Sequence, residues 1–145
     1  MSLVVDASVA IKWYVREELH EEAASVLDQE QLLFAPDLIV AEVTNAAWKK
    51  VRRSEIDRAM AERIGAEICS GVPLLYSCRH LNARALQISL FCKHPIYDCY
   101  YLACAELIGG ILVTNDRRLH GVVANSELAE RVKLLEDIAR PGQAL

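Results

Sequence analysis

Short apolar runs rich in β-branched residues alternate along this chain with longer segments of helical patterning. The runs predict strands over residues 3–5, 32–35, 111–114 and 132–135, with residues 73–76 as a candidate third strand. The segments between them predict helices over 9–15, 20–29, 36–53, 54–71, 82–91, 96–108 and 116–120. Continuously apolar strands separated by helices are typical of a parallel sheet covered on both faces. The sequence therefore predicts an α/β fold with helices on both faces of a parallel sheet.

Individual residues predict where several of these helices begin and end. Ser8 is suited to cap the first helix, and Pro36 and Pro95 are suited to open later ones, because proline is tolerated in a first helical turn. Ser54 predicts the start of another helix, and Gly121 predicts the end of a short one.

The composition fits one folded domain over residues 1–145. The chain is 53% apolar and 25% charged, and it contains no internal repeat and no linker-like segment. A chain of this length can bury a core without disulfide or metal staples. Its five cysteines lack the short paired spacing of a zinc cluster, so we expect reduced thiols, most of them in the core.

Charge and hydropathy exclude further classes of protein. Polar residues interrupt each apolar stretch well short of the ~18–20 residues of a membrane span, and the N-terminus does not resemble a signal peptide. We therefore expect a cytoplasmic protein. The net charge of −4 disfavours binding of nucleic acid through bulk charge, so such binding would need a local basic patch or a metal ion.

Four of the 20 acidic residues lie in apolar surroundings: Asp6, Glu42, Asp98 and Asp116. A buried, ionised carboxylate is costly unless it is paired or bound to a ligand. Only Asp116 has a basic residue, Arg117, within two positions. A metal ion is one partner that could neutralise all four carboxylates.

The predicted elements bring these four acids to the same edge of the sheet. Asp6 and Asp116 follow the carboxyl ends of strands, where ligand crevices form in open α/β sheets. Glu42 and Asp98 fall in the first two turns of proline-opened helices, which begin at that edge. Hard oxygen donors without nearby histidine or cysteine suit Mg²⁺ or Mn²⁺. Each acid taken alone also fits a helix cap, a partner for a distant arginine or a solvent-facing residue.

At these residues the chain resembles PIN-domain ribonucleases, specifically the toxins of VapBC-type toxin–antitoxin pairs. The resemblance extends from Val4 to about Leu135, with acids spaced by 36, 56 and 18 positions. Its pieces, in order, are Val5-Asp6-Ala7-Ser8, Ala35-Pro36 with Glu42 and Asn45, Ile96-Tyr97-Asp98-Cys99-Tyr100-Tyr101-Leu102-Ala103, and Leu112-Val113-Thr114-Asn115-Asp116.

The resemblance implies a three-layer α/β/α fold with about five parallel strands and a metal-dependent endoribonuclease activity. It implies that Asp6, Glu42, Asp98 and Asp116 bind one or two Mg²⁺ or Mn²⁺ ions that activate a water molecule against an RNA phosphate. Some relatives carry a further acid beside the fourth, whereas Asn115 and Arg117 flank Asp116 here, which leaves the second ion open.

Three polar side chains beside the acids match positions of the same family. The resemblance implies that Ser8 and Thr114 donate hydrogen bonds to the carboxylates, and that Asn45 orients Glu42 or contacts substrate. Ordinary capping or bonding to the backbone is the alternative for all three. The family further implies a homodimer and an antitoxin whose tail lies across the site, with the helices around residues 41–47 and 59–68 as candidate interfaces.

Basic and aromatic residues supply candidate contacts to RNA. Lys12 and Arg117 lie close in sequence to the first and fourth acids, and residues 49–53 form a basic cluster that could equally be a solvated surface. Trp13, Tyr14 and Trp48 could stack on unpaired bases, line a partner groove or pack in the core. The four histidines lack the spacing of metal ligands.

Two other kinds of function compete with a nuclease. A catalytically silent PIN module that binds RNA or protein is the first, although the presence of all four acids argues against a decayed site. A phosphotransfer domain is the second. A receiver needs a pair of adjacent acids after the first strand, and a haloacid-dehalogenase-type enzyme needs a second Asp where Ser8 stands.

Overall fold

Five short strands form one parallel sheet in the computed structural model, which describes residues 2–28 and 30–138. The strands are β1 (Leu3–Val5), β2 (Leu33–Pro36), β3 (Leu74–Tyr76), β4 (Ile111–Thr114) and β5 (Val132–Leu134). Their order across the sheet is β3-β2-β1-β4-β5. Strand β1 is central because its three residues are buried apolar side chains, and Val4 pairs with Phe34 on one side and Leu112 on the other.

Helices connect the strands and cover the sheet, as the α/β/α expectation requires. They are α1 (Ala7–Ala10), α2 (His20–Asp28), α3 (Leu38–Arg52), α4 (Arg58–Glu67), α5 (Cys78–Cys92), α6 (Ile96–Ile108) and α7 (Arg117–Val123). Short 3₁₀ turns span Ile11–Trp13, Ala129–Arg131 and Leu135–Asp137. The predicted fold class and the candidate third strand are confirmed.

Several predicted helix boundaries are wrong, for local physical reasons. Asp6, not Ser8, caps α1, because its carboxylate accepts the backbone N–H of Val9. Pro36 ends β2 instead of opening α3, which begins at Leu38. Asp57, not Ser54, caps α4 through the N–H of Met60.

The remaining differences concern helix ends. Helix α5 begins at Cys78, four residues before the predicted start, because Ser77 caps it. Helix α7 runs through Gly121 to Val123. The first predicted helix is an α-helix only to Ala10 and then tightens into a 3₁₀ turn.

Helix α6 is the most deeply buried helix segment beside the sheet. It contacts β1, β2 and β4, and residues 101–105 within it are all buried. This packing fixes its first turn, which carries Asp98, relative to the ends of the strands. Two cysteines, Cys99 and Cys104, are buried, whereas Cys69 is exposed, so the expectation of mostly core thiols is only partly met.

The chain begins at the central strand, β1, and adds the other strands first on one side of it and then on the other. The chain adds β2 and β3 on one side of β1 and then returns to add β4 and β5 on the other side. Ligand crevices form at such a switch point, outside the carboxyl ends of the two strands that flank it. Within residues 2–28 and 30–138, no helix combines the length and hydropathy needed to cross a membrane.

Candidate active site

Asp6 lies at the switch point, at the end of β1, and only 7% of its surface is exposed. Its Oδ1 accepts hydrogen bonds from Ser8 Oγ at 2.5 Å and from the backbone N–H of Val9 at 3.2 Å. Its Oδ2 accepts a very short hydrogen bond from Thr114 Oγ1. Burial raises the pKa of Asp6 to about 6, against the effect of these hydrogen bonds, and the negative charge of Asp98 raises it further.

Thr114 connects Asp6 to the fourth acid, Asp116. The Thr114 hydroxyl donates to Asp6 and accepts the backbone N–H of Asp116 at 3.0 Å. Oδ1 of Asp116 caps α7 by accepting the N–H groups of Arg118 and Leu119, at 2.9 and 3.2 Å. The loop after β4 is thereby fixed beside the loop after β1, with Asn115 N–H donating to Ser8 Oγ at 3.0 Å.

Glu42 reaches the same region from the second turn of α3. Its Oε1 accepts a hydrogen bond of 2.6 Å from the hydroxyl of Tyr101, a residue of α6 that is only 1% exposed. Burial raises the pKa of Glu42, the Tyr101 hydrogen bond opposes the shift, and the charge of Asp98 adds to it. Burial, Glu42, Asp6 and Asp98 all raise the pKa of the Tyr101 phenol, so Tyr101 donates as a neutral hydroxyl.

Asp98 lies in the first turn of α6 and is half-buried. Its Oδ2 lies 2.6 Å from Nε2 of His94, which lies four residues earlier in the turn before α6. Asp98 is close enough to Asp6 and to Glu42 for its negative charge to raise the pKa of each.

No lysine or arginine of the described residues forms an ion pair with any of the four acids. Asp6 has hydroxyl and amide donors, Glu42 has a phenol, and Asp98 has an imidazole. Each carboxylate is thus held by groups that orient it, while the repulsion between Asp6, Glu42 and Asp98 is left without a lysine or arginine to offset it.

The donor set suits a hard divalent cation, although the side chains are not already arranged around one. Among residues 2–28 and 30–138, no three histidine, cysteine, aspartate or glutamate side chains meet in an arrangement that could hold a metal ion. Carboxylates that are desolvated and mutually repulsive are nevertheless the oxygen ligands that Mg²⁺ and Mn²⁺ favour. The chemistry of the donors therefore fits the ion.

Lys12 contacts none of the four acids, although its position in the sequence, close to Asp6, led us to expect it near them. It is buried, and its Nζ donates to Glu17 Oε1 at 2.9 Å and to the backbone carbonyl of Glu18 at 2.8 Å. Lys50 joins this network from α3 through a 2.5 Å contact with Glu17. Lys12 therefore fixes the segment after the first 3₁₀ turn to the rest of the protein.

Arg117 and Asn45 lie at the surface. The guanidinium of Arg117 is well exposed and forms an ion pair with Glu136. Asn45 follows Glu42 by three residues and lines a shallow groove along α3 together with Asp37, Ala41 and Trp48. Trp48 is 54% exposed, and the guanidinium of Arg52 lies 5.4 Å from the centroid of its ring.

Two residues that contact the acids were missed by sequence reasoning. Tyr101 lies three positions after Asp98 and shares a face of α6 with it. His94 lies in the turn before α6, and Pro95 separates it from the helix, so the four-residue spacing to Asp98 is not that of a helical pair. The contact of Tyr101 with Glu42 spans 59 positions and depends on how the tertiary structure places α6 relative to α3.

Comparisons with known proteins match this architecture. A family model described as "PIN domain" matches residues 3–125. The chain belongs to the PIN-domain family.

Within that family the chain is a VapC-type PIN domain by similarity to a named relative. It is 37% identical over 121 residues to a protein of Pyrobaculum aerophilum named "Ribonuclease VapC3", covering 82% of this chain and 92% of the relative. A crystal structure of PAE2754 from the same organism shares the fold, with a TM-score of 0.64 and 24% identity over 94% of this chain and 85% of that one.

Proposed function

We propose that this protein is a divalent-metal-dependent endoribonuclease that hydrolyses RNA phosphodiester bonds, and that it is the toxin of a type II toxin–antitoxin pair. The observation that carries the proposal is that burial and the charge of Asp98 raise the pKa of both Asp6 and Glu42, while none of these three carboxylates has a lysine or arginine partner among the described residues. The similarity to a protein named Ribonuclease VapC3 supports RNA as the class of substrate.

Asp6, Glu42, Asp98 and Asp116 would hold Mg²⁺ or Mn²⁺. Such an ion lowers the pKa of a bound water molecule and neutralises charge on a phosphate. Ser8, Thr114 and the N–H of Val9 orient Asp6, and Tyr101 orients Glu42, so that these carboxylates keep defined positions. The exposed side chains of Asn45 and Arg117 are the proposed contacts to RNA. Lys12 instead stabilises the fold through its contact with Glu17.

Purified protein should cleave RNA when Mg²⁺ or Mn²⁺ is added, and EDTA should abolish the cleavage. Asp98→Asn should lower the rate by at least two orders of magnitude while leaving the circular dichroism spectrum unchanged, because a catalytic site depends on its metal ligands. Glu106→Gln is the matched control, since Glu106 is on the same helix but pairs with Arg84 at 2.9 Å.

The same assay separates the proposal from a catalytically silent PIN module. A silent module would bind RNA without cutting it, with or without metal, and Asp98→Asn would then change nothing. Cleavage that persists in EDTA, or that Asp98→Asn and Glu106→Gln affect equally, would contradict the nuclease proposal.

The partners belong to the same proposal. We expect an antitoxin that covers the acids and inhibits cleavage, a homodimer in solution and a cytoplasmic location with the RNA substrate. Co-expression with the product of a neighbouring small gene should abolish cleavage, and sedimentation should report twice the mass of one chain.

A further inference from the structure

The turn between α5 and α6 holds one histidine in a fixed position. His94 is only 6% exposed, and it follows Lys93, whose backbone is left-handed with φ of 52°. Ser89 of α5 binds both backbone groups of His94. Its Oγ donates to the His94 carbonyl at 2.5 Å, and its own carbonyl accepts the His94 N–H at 3.2 Å.

The imidazole of His94 points to the first turn of α6. Its Nε2 lies 2.6 Å from Oδ2 of Asp98, and the His94 side chain is 5% exposed whereas that of Asp98 is 32% exposed. A carboxylate accepts hydrogen bonds, so Nε2 carries the proton that is shared with Oδ2. Among the described residues no hydrogen bond is made to the other oxygen, Oδ1.

We propose that His94 is a positioning residue for the nuclease: it holds Oδ2 of Asp98 so that Oδ1 remains available to the metal and substrate. Ser89 fixes His94 in turn, so that Ser89, His94 and Asp98 form a line of contacts from α5 into the site. This inference rests on the proposed function and assigns a role to a histidine that is not itself a metal ligand.

An imidazole held in this way is suited to the task by its geometry. Because Ser89 fixes the backbone of His94 and the ring is buried, Nε2 stays 2.6 Å from one oxygen of Asp98. Hydrogen bonds of this kind to a metal ligand are worth about 10–100-fold in metal affinity or activity.

Paired substitutions test whether the position of the donor atom matters. The side-chain nitrogen of glutamine can take the place of Nε2, whereas that of asparagine, which is one methylene shorter, takes the place of Nδ1. We expect His94→Asn and His94→Ala to lower kcat for RNA cleavage by 10–100-fold with little change in KM, and His94→Gln to recover most of the loss. His80→Gln is the control, because His80 is an exposed histidine of α5.

A second measurement does not depend on catalysis. Calorimetric titration of Mn²⁺ in the absence of RNA should show the Kd rising by 10–100-fold in His94→Ala and recovering in His94→Gln. Imidazole ¹⁵N NMR of the metal-free protein should show the proton of His94 on Nε2. Ser89→Ala should change the Mn²⁺ affinity less, and should add nothing to the effect of His94→Ala.

The outcomes separate this inference from the proposed function. A wild-type protein that neither cleaves RNA nor binds Mn²⁺ contradicts the nuclease proposal itself. A wild-type protein that does both, while His94→Asn and His94→Gln behave alike, contradicts the positioning role. An Nε2 that carries no proton in the metal-free protein contradicts it as well.

Discussion

At the scale of single residues, the surroundings of an acid decide how its ionisation changes the stability of the folded protein. Asp6 is buried at the end of β1, where its pKa rises from 3.8 to about 6 because burial penalises the ionised form. The folded protein therefore binds a proton at Asp6 more tightly than the unfolded chain does. Ionised Asp6 lowers the stability of the metal-free fold above about pH 6, and this cost disappears as the pH falls towards 4.

Asp6→Asn should remove this pH dependence. In EDTA, the free energy of unfolding of the wild type should rise relative to that of Asp6→Asn by about 2 kcal/mol between pH 7 and pH 4. Urea denaturation of both proteins across that range measures the difference. A difference that stays constant, or that favours the wild type as the pH rises, would show that Asp6 does not titrate in this way.

Helices α3 and α6 supply the parts of the site that the strands do not. Helix α6 carries Asp98 and Tyr101, and α3 carries Glu42 near its start and a basic cluster in its last turn. Within that cluster Lys50 turns inwards to Glu17 and Glu55, whereas Lys49, Arg52 and Arg53 are exposed. Lys50 thus has a structural role, whereas the other three side chains form an exposed basic surface suited to phosphate groups.

The exposed cations of α3 should contribute to RNA binding through salt-dependent contacts. Replacing Lys49, Arg52 and Arg53 together by alanine should reduce the slope of log K against log salt by roughly 2, if each contacts one phosphate of single-stranded RNA. Binding should be measured in the Asp98→Asn background so that RNA is not cleaved. The double variant Arg58→Ala and Arg63→Ala on α4 is the control, and an equal loss of slope there would count against a specific surface on α3.

At the scale of the whole molecule, the sheet brings distant acids together at a cost that a cation can offset. The order β3-β2-β1-β4-β5 places the ends of β1 and β4 side by side, and the N-terminal parts of α3 and α6 carry Glu42 and Asp98. Repulsion between the acids opposes folding. A cation that binds the folded protein and not the unfolded chain should therefore stabilise it by mass action.

Mg²⁺ or Mn²⁺ at a hundred times its Kd should raise the free energy of unfolding by about 2.7 kcal/mol, which for a chain of this size is roughly 5–10 °C in Tm. Calorimetry with and without EDTA measures the shift. Glu106→Gln should retain it, and Asp98→Asn should lose most of it. A Tm shift of the same size in both variants would show that the ion binds elsewhere on the protein.

The sequence by itself determined the layered fold, and it singled out the four acids that lie in apolar surroundings. Apolar strands such as 3–5 and 111–114 carry their own burial pattern, and an acid that follows such a strand is conspicuous in a single chain. Helix ends such as Asp57 and Ser77 were harder to predict, because several neighbouring polar residues can cap a helix equally well.

Only the tertiary structure decided which donor serves which carboxylate. Tyr101 meets Glu42 because α6 packs against the sheet beside α3, and Lys12 turns to Glu17 because its helix ends after Ala10. Contacts of this kind join residues that are far apart in the chain, or depend on where a short helix stops. The packing of whole elements decides which of these side chains meet, so no local pattern of residues encodes the contacts.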